Sequence, residues 1–306
     1  MMLRIFDTAV HLLFVLLLPP LLPGLIARTK AIFAGRTGPP LLQPWYDILR
    51  LLRKGSVFSR TTTWIFRAGP VVTLCATAVA SLMVPLGNHE APISFPGDAV
   101  LFAYLFGLAR FFTTAAALDT GSPFEGMGAA REVTFSCLAE PALFFALVTL
   151  ARVSDSLTLS TMLTRVSPAV WIGEGASMLL LLSGLFVVIL SENCRIPFDD
   201  PNTHLELTMI HEVMVLDHSG PAFGAILYGA AMKLFVLGAF LVDVALPFKS
   251  GNTLVDWCFF AASMVGLAVA IGVVESVMAR LRLVRIPQLL VAATVLTAFS
   301  MLLILR

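Results

Sequence analysis

Carboxylates are the side chains whose number and placement in this sequence suit chemistry. Six of the nineteen acids, Glu192, Asp199, Asp200, Glu206, Glu212 and Asp217, fall between Glu192 and Gly220, a polar island in an otherwise apolar chain. Loops between membrane spans need little charge, so a long acidic loop points to the handling of a charged species or a soluble partner. Further charges interrupt the apolar runs themselves: Arg110, Glu140, Lys233 and Asp243 lie inside them or near their ends, and Glu192 and Glu275 at ends. A charge in hydrocarbon costs about 2.5–3.5 kcal/mol even on a lenient insertion scale, so these groups must pair, face the bundle interior or line water. Pairing alone, for instance Arg110 or Lys233 with Glu140, is one reading; an ion or proton path is the other, and the number of groups favours it. Glu132 and Glu140 stand eight apart, close to one helical face, and lead from a loop toward mid-membrane. Desolvation raises a carboxylate pKa and a nearby cation lowers it, which is the tunability a proton relay requires.

Other chemistries find no support. His211 and His218 are separated by seven residues, as are His204 and His211. On one helix that spacing is roughly 10.5 Å along the axis, whereas a metal holds its ligands at about 2 Å. No metal site is expected. Cys75, Cys137, Cys194 and Cys258 stand singly with no CxxC pair, so no iron–sulfur cluster is expected on this chain and the cysteines read as buried small hydrophobes. Thr203 to Glu206 has a capping-box pattern, and Asp199 and Asp200 before Pro201 suit a helix start. No nucleophile elbow, phosphate loop or dinucleotide fingerprint is present, so no catalytic residue is assigned. A net charge of +1 argues against nucleic acid as a partner.

The elements that must carry these groups are membrane helices. The chain is 58% hydrophobic and only 13% charged over 306 residues, against roughly 25% charged in soluble domains. Its apolar runs are continuous rather than alternating, which favours helices over strands. A bilayer core needs about 20 apolar residues per helix, and eight stretches qualify: 5–26, 65–86, 98–118, 133–153, 175–190, 223–246, 256–277 and 287–305. The expected fold is an all-α bundle of eight transmembrane helices forming one integral membrane domain, residues 1–306. Thirteen of the twenty Lys and Arg fall in odd-numbered loops, five in the termini and even-numbered loops, and two, Arg110 and Lys233, inside spans. The asymmetry puts odd loops in the cytoplasm and both termini outside. Loops 27–64 and 192–221 are then long and cytoplasmic. In the first, Leu41, Trp45, Ile48 and Leu52 recur on one helical face between Pro39-Pro40 and Gly55, predicting an amphipathic interfacial helix that lies on lipid or docks a soluble subunit.

Several segments together resemble one family. GRTGPPLLQPWYDILRLLRK, REVTFSCLAEP, ENCRIPFDDPNTHLEL and ESVMARLRL, in that order, are similar to the proximal membrane subunit of respiratory complex I and its counterpart in group 4 membrane-bound [NiFe] hydrogenases and formate hydrogenlyases. Leu118 to Phe124, reading LDTGSPF, resembles the hydrogenase branch, and the direct run from Pro40 into Leu41-Leu42-Gln43-Pro44 fits that branch better. The resemblance implies a non-catalytic anchor and energy-coupling subunit in a prokaryotic cytoplasmic membrane, binding no cofactor of its own. The [NiFe] centre and iron–sulfur clusters would sit on a hydrogenase large subunit and an iron–sulfur small subunit, with antiporter-like membrane subunits alongside. Carried over by position, Glu140, Glu192 and Glu206 are relay carboxylates; Glu132, Glu212 and Lys233 join them on spacing and burial. Arg36, Asp47, Asp119, Arg131, Arg195 and Asp199 are expected to shape the docking surface. Two alternatives stay open from sequence: a quinone-site subunit of a complex I-like NADH dehydrogenase, and a free-standing ion transporter.

Overall fold

In a computed structural model the described residues, 2–87, 89–199, 209–247 and 249–306, form helices joined by loops and turns, with one isolated bridge between Leu86 and His89. The helices are α1 (Met2–Leu17), α2 (Leu21–Phe33), α3 (Gln43–Leu52), α4 (Trp64–Met83), α5 (Asp98–Asp119), α6 (Pro123–Ser154), α7 (Leu159–Arg165), α8 (Pro168–Gly173), α9 (Gly175–Glu192), α10 (Gly220–Ala245), α11 (Thr253–Val277) and α12 (Ile286–Ile304), with a 3-10 turn at Glu212–Val215. Seven spans are long and apolar enough to cross a bilayer by length and composition, and α1 with α2 makes an eighth if the bent pair is one span. The chain is an all-α, multi-pass membrane protein.

The first span corrects the expectation of a straight helix over 5–26. Pro19 and Pro20 break it, α2 leaves α1 at 50°, and the helix runs on to Phe33, which takes Arg28 and Lys30 out of the loop. Proline removes a backbone donor and clashes with the carbonyl four residues back. Inside a membrane the freed carbonyls need other partners. The Tyr228 hydroxyl donates to Leu16 O at 2.9 Å, and the Trp45 indole N–H to Leu17 O at 3.3 Å. The amphipathic helix of the first loop, α3, therefore does more than lie on lipid. It buries Ile48, sets Trp45 at a tilt beside Tyr228 with ring centroids 6.0 Å apart, and packs on α2 and α10.

The fourth span also starts earlier than its apolar run. Pro123 at the first helical turn opens α6 ten residues before Val133. At 1.5 Å per residue its 32 residues reach roughly 48 Å, longer than the hydrocarbon core of about 30 Å. Its first three turns carry Glu125, Arg131 and Glu132 and account for the excess length. The hydrophobic periodicity could not show this, because those turns are polar.

Packing puts α10 at the centre. The rest of the chain buries 67% of its most apolar stretch, against 28–44% for the other single-helix spans. Pairs of helices close on small residues, as apolar spans commonly do. α9 meets α12 at Gly184, where a Cβ would stand 3.0 Å from Ala293 O. α11 meets α2 at Gly272, where it would stand 2.7 Å from the Thr29 Cβ. Cys75, Cys137 and Cys258 correct another expectation: they lie on the outer face of the bundle, in apolar helices whose surroundings are lipid rather than protein core.

Candidate functional site

Arg110, midway along α5, is the hub of the site. Its Nη2 donates to Glu192 at 2.6 Å, its Nη1 pairs with Glu140, and its Nε lies 3.8 Å from Glu132. Glu192 also receives Lys233 Nζ at 2.7 Å. One guanidinium thus gathers two carboxylates of α6 and the terminal carboxylate of α9, while Lys233 of α10 anchors the last of these. Glu132 and Glu140 do share a face, as their spacing requires, because eight residues of helix bring side chains back to nearly the same direction. Glu192 ends α9, so its backbone lies at the membrane boundary while its carboxylate turns inward.

Charge decides what this arrangement can do. Three carboxylates face two cations, so the cluster carries one surplus negative charge when all are ionised. Arrival of one proton, or of one monovalent cation, makes it neutral. A weakly polarisable interior favours neutrality. Moving the Arg110 or Lys233 head by a few ångströms changes which carboxylate is uncompensated. That is a mechanism for passing a proton or for coupling a distant motion to its release.

A second network lies beside the first. Glu275 of α11, with no exposed side-chain surface, pairs with Lys30 of α2 at 2.9 Å and Arg195 at 3.5 Å. Both networks open on one cavity of about 680 Å³, walled by α2, α3, α4, α5 and α10, with Lys30, Asp47, Arg110, Glu132, Glu192, Lys233 and Glu275 in its lining. Sequence reading noted Glu275 only as a charge at a span end and did not make it a site residue. Its signal was the same one that exposed Arg110, an ionisable side chain within an apolar run.

The remaining expected site residues separate. Glu212 begins the 3-10 turn and lines the cavity; Glu206, His204 and the capping pattern at 203–206 lie outside the described residues. Asp243 lies ten residues beyond Lys233 on α10, about 15 Å along its axis, and is no part of the hub. Of the docking residues, Arg36 is exposed and Asp47 half-exposed. Arg131 is partly buried and donates to Met209 O at 3.0 Å. Three others turn inward. Asp119 caps α4, accepting from Thr63 N at 2.6 Å and Phe66 N at 3.3 Å. Arg195 is used by Glu275, and Asp199 by Arg280 at 2.7 Å and by Ile210 N at 2.9 Å. Any effect of these three on docking must pass through the loops they hold, since their charged groups are already engaged within the chain.

Histidines of the island behave differently from a metal cradle on one helix. His218 stacks on Phe66 with centroids 3.9 Å apart, and burial pulls its pKa down to about 4. His211 is also pushed down by burial.

Comparisons with known proteins give the family and the fold. A model of the NADH dehydrogenase family matches residues 6–306. Formate hydrogenlyase subunit 4 of Escherichia coli is 31% identical over 271 residues, 86% of this chain and 87% of the relative. Hydrogenase-4 component C of the same organism is 31% identical over 82% of this chain and 78% of its own length. A subunit of the NADH-quinone oxidoreductase of Syntrophotalea carbinolica is 25% identical over 79% and 74%. Among solved structures, a chain of the membrane-bound sulfane sulfur reductase, an archaeal respiratory membrane complex, superposes with a TM-score of 0.83 over 98% of this chain and 99% of that one, at 20% identity; the likeness establishes the fold.

Proposed function

Because this chain belongs to the NADH dehydrogenase family, with relatives named as subunits or components of larger assemblies, we propose that it is the membrane anchor and energy-coupling subunit of a membrane-bound [NiFe] hydrogenase of the formate hydrogenlyase type. It links hydrogen and proton redox chemistry in a cytoplasmic arm to translocation of protons or sodium. The higher identity to the two hydrogenase-type relatives, over more of the chain, supports this branch over the NADH-oxidising one. The observation that carries the coupling role is the Arg110 hub with its surplus carboxylate, open to a cavity that reaches α3 and the first long loop.

In this reading redox cofactors sit on partner subunits. Loops 27–64 and 192–221 meet a [NiFe] large subunit and an iron–sulfur small subunit on the cytoplasmic side, both termini lie outside, and antiporter-like subunits adjoin the bundle in the membrane. A shift of the cytoplasmic loops moves α3, whose Trp45 is tied to the broken first span, and reshapes the cavity wall beside Arg110. Proton or cation occupancy of Glu132, Glu140 and Glu192 follows. Purification of the native complex through a tag on this chain, with nickel and iron measured in the product, tests the assignment. Stoichiometric nickel and iron support it; a working unit isolated without an attached metalloprotein sinks it.

The size of the cavity favours one second reading, a quinone-site subunit, since about 680 Å³ would admit a quinone head. Quinone-dependent turnover by the intact complex would select it, and NADH-oxidising partners would be found in place of nickel.

A further inference from the structure

Three ligating atoms with no hydrogen-bond partner converge at the cytoplasmic mouth of the bundle. A carboxylate oxygen of Glu132, the sulfur of Cys194 and a ring nitrogen of His211 all lie within 4.8 Å of one another, and each residue is half-buried. Among the described residues none of the three side chains makes a hydrogen bond; the nearest charge to the Glu132 carboxylate is Arg110 Nε at 3.8 Å, beyond hydrogen-bond reach. Oxygen, sulfur and nitrogen atoms that converge this closely on the wall of the 680 Å³ cavity, with no hydrogen bond among the described residues, are placed to share one ligand between them. Two further observations mark the place. Cys194 follows the C-cap of α9 with φ 49°, a left-handed conformation in which glycine is the usual residue, so a side chain is held there against its backbone preference. A small cavity of about 10 Å³, walled in part by Glu132, Ser136, Glu192, Cys194 and Asp199, adjoins the trio; that is room for roughly one water-sized atom.

We propose that Glu132, Cys194 and His211 form a binding site for a single Zn²⁺ ion. Carboxylate oxygen, thiolate sulfur and imidazole nitrogen are together a borderline-soft donor set that suits zinc, and three protein ligands leave the fourth tetrahedral position to water. Bonds of about 2.0–2.3 Å place tetrahedral ligands about 3.3–3.6 Å apart, so closure on the ion requires movements of about 1 Å, within reach of the Glu132 and His211 side chains. The residues are separated by 62 and 17 positions in sequence, which is why spacing along one helix could not reveal them. The site shares Glu132 with the Arg110 hub, and an ion here would hold that carboxylate away from Arg110.

The test uses the intact detergent-solubilised complex, stripped of loosely held metal and equilibrated by dialysis against Zn²⁺ alone. Wild-type complex is compared with Cys194→Gly, which removes the sulfur and relieves the positive φ, and with His211→Gln. Wild type is expected to hold one more Zn²⁺ per complex than either variant at concentrations that saturate it, with affinity lost by about tenfold or more on substitution. Zinc bound elsewhere in the assembly cancels in this difference. Equal stoichiometry and affinity in wild type and in whichever variant assembles would overturn the site.

Discussion

Glu140 is the carboxylate of the hub with the most open surroundings, its side chain 45% exposed, whereas Glu192 is enclosed by Arg110 and Lys233. Glu140→Gln keeps the shape and one hydrogen-bond acceptor while removing the surplus charge. The expected result is a complex that assembles in normal amount on a native gel, but whose ion translocation per hydrogen turned over falls severalfold; loss of the assembled complex would instead mean that the pairing is structural. Arg110 should behave in the opposite way. Arg110→Met leaves Glu132, Glu140 and Glu192 facing one cation, and an uncompensated buried charge costs about 3–5 kcal/mol. Little of the protein should then remain in membranes. His218 yields a pH prediction. Its pKa is held at about 4, below the ordinary 6.5, so the folded state prefers the neutral ring and stability is full above pH 6.5. As pH falls from 6.5 toward 4 the unfolded state takes up the proton first and stability drops. Melting temperatures of the solubilised complex across that window should fall less steeply for His218→Gln than for wild type.

At the scale of elements, the site depends on helices that approach closely enough for short charged side chains to meet. Lys30 reaches Glu275 only because α2 and α11 touch at Gly272. Gly272→Val inserts a branched side chain against Thr29 and Ile26 O, an overpacking that costs about 1–3 kcal/mol, and should part this ion pair along with the helices. A drop of several degrees in melting temperature, with no such drop for Gly107→Val, where nothing lies within 4 Å of an added Cβ, would bear this out. The broken first span and α3 form a second such unit. Trp45 and Tyr228 serve carbonyls that Pro19, Pro20 and the turn leave free, so the amphipathic helix is fastened to the bundle wall that borders the cavity. That connection ties α3 to the cavity wall that carries Arg110, a tie that a helix merely resting on lipid would lack.

For the whole molecule, the distribution of basic residues predicts the orientation. Tags placed at both ends should be reached by a membrane-impermeant reagent from outside the cell, while a tag in the turn after α3 should be shielded; the reverse pattern would put the long loops and the cavity mouth on the wrong side for a cytoplasmic arm. The general fold was legible because lipid allows few solutions: with 58% hydrophobic residues in continuous runs, every backbone polar group must be satisfied within a helix. Ionisable residues inside those runs were legible for the same reason, since their cost marks them out. The order of segments such as REVTFSCLAEP and ENCRIPFDDPNTHLEL also sufficed to indicate the family. Periodicity could not give the bend at Pro19-Pro20, the polar extension of α6, or the inward turn of Asp119, Arg195 and Asp199. Nor could it bring Glu132, Cys194 and His211 together or make Arg110 the common partner of three acids. Each of those depends on where one helix stands against another, and that is set by the packing of small residues and by the pairing of charges across the bundle. Hydrophobicity fixes that a segment is buried in the membrane; only contacts between distant segments fix which way its few polar groups must face.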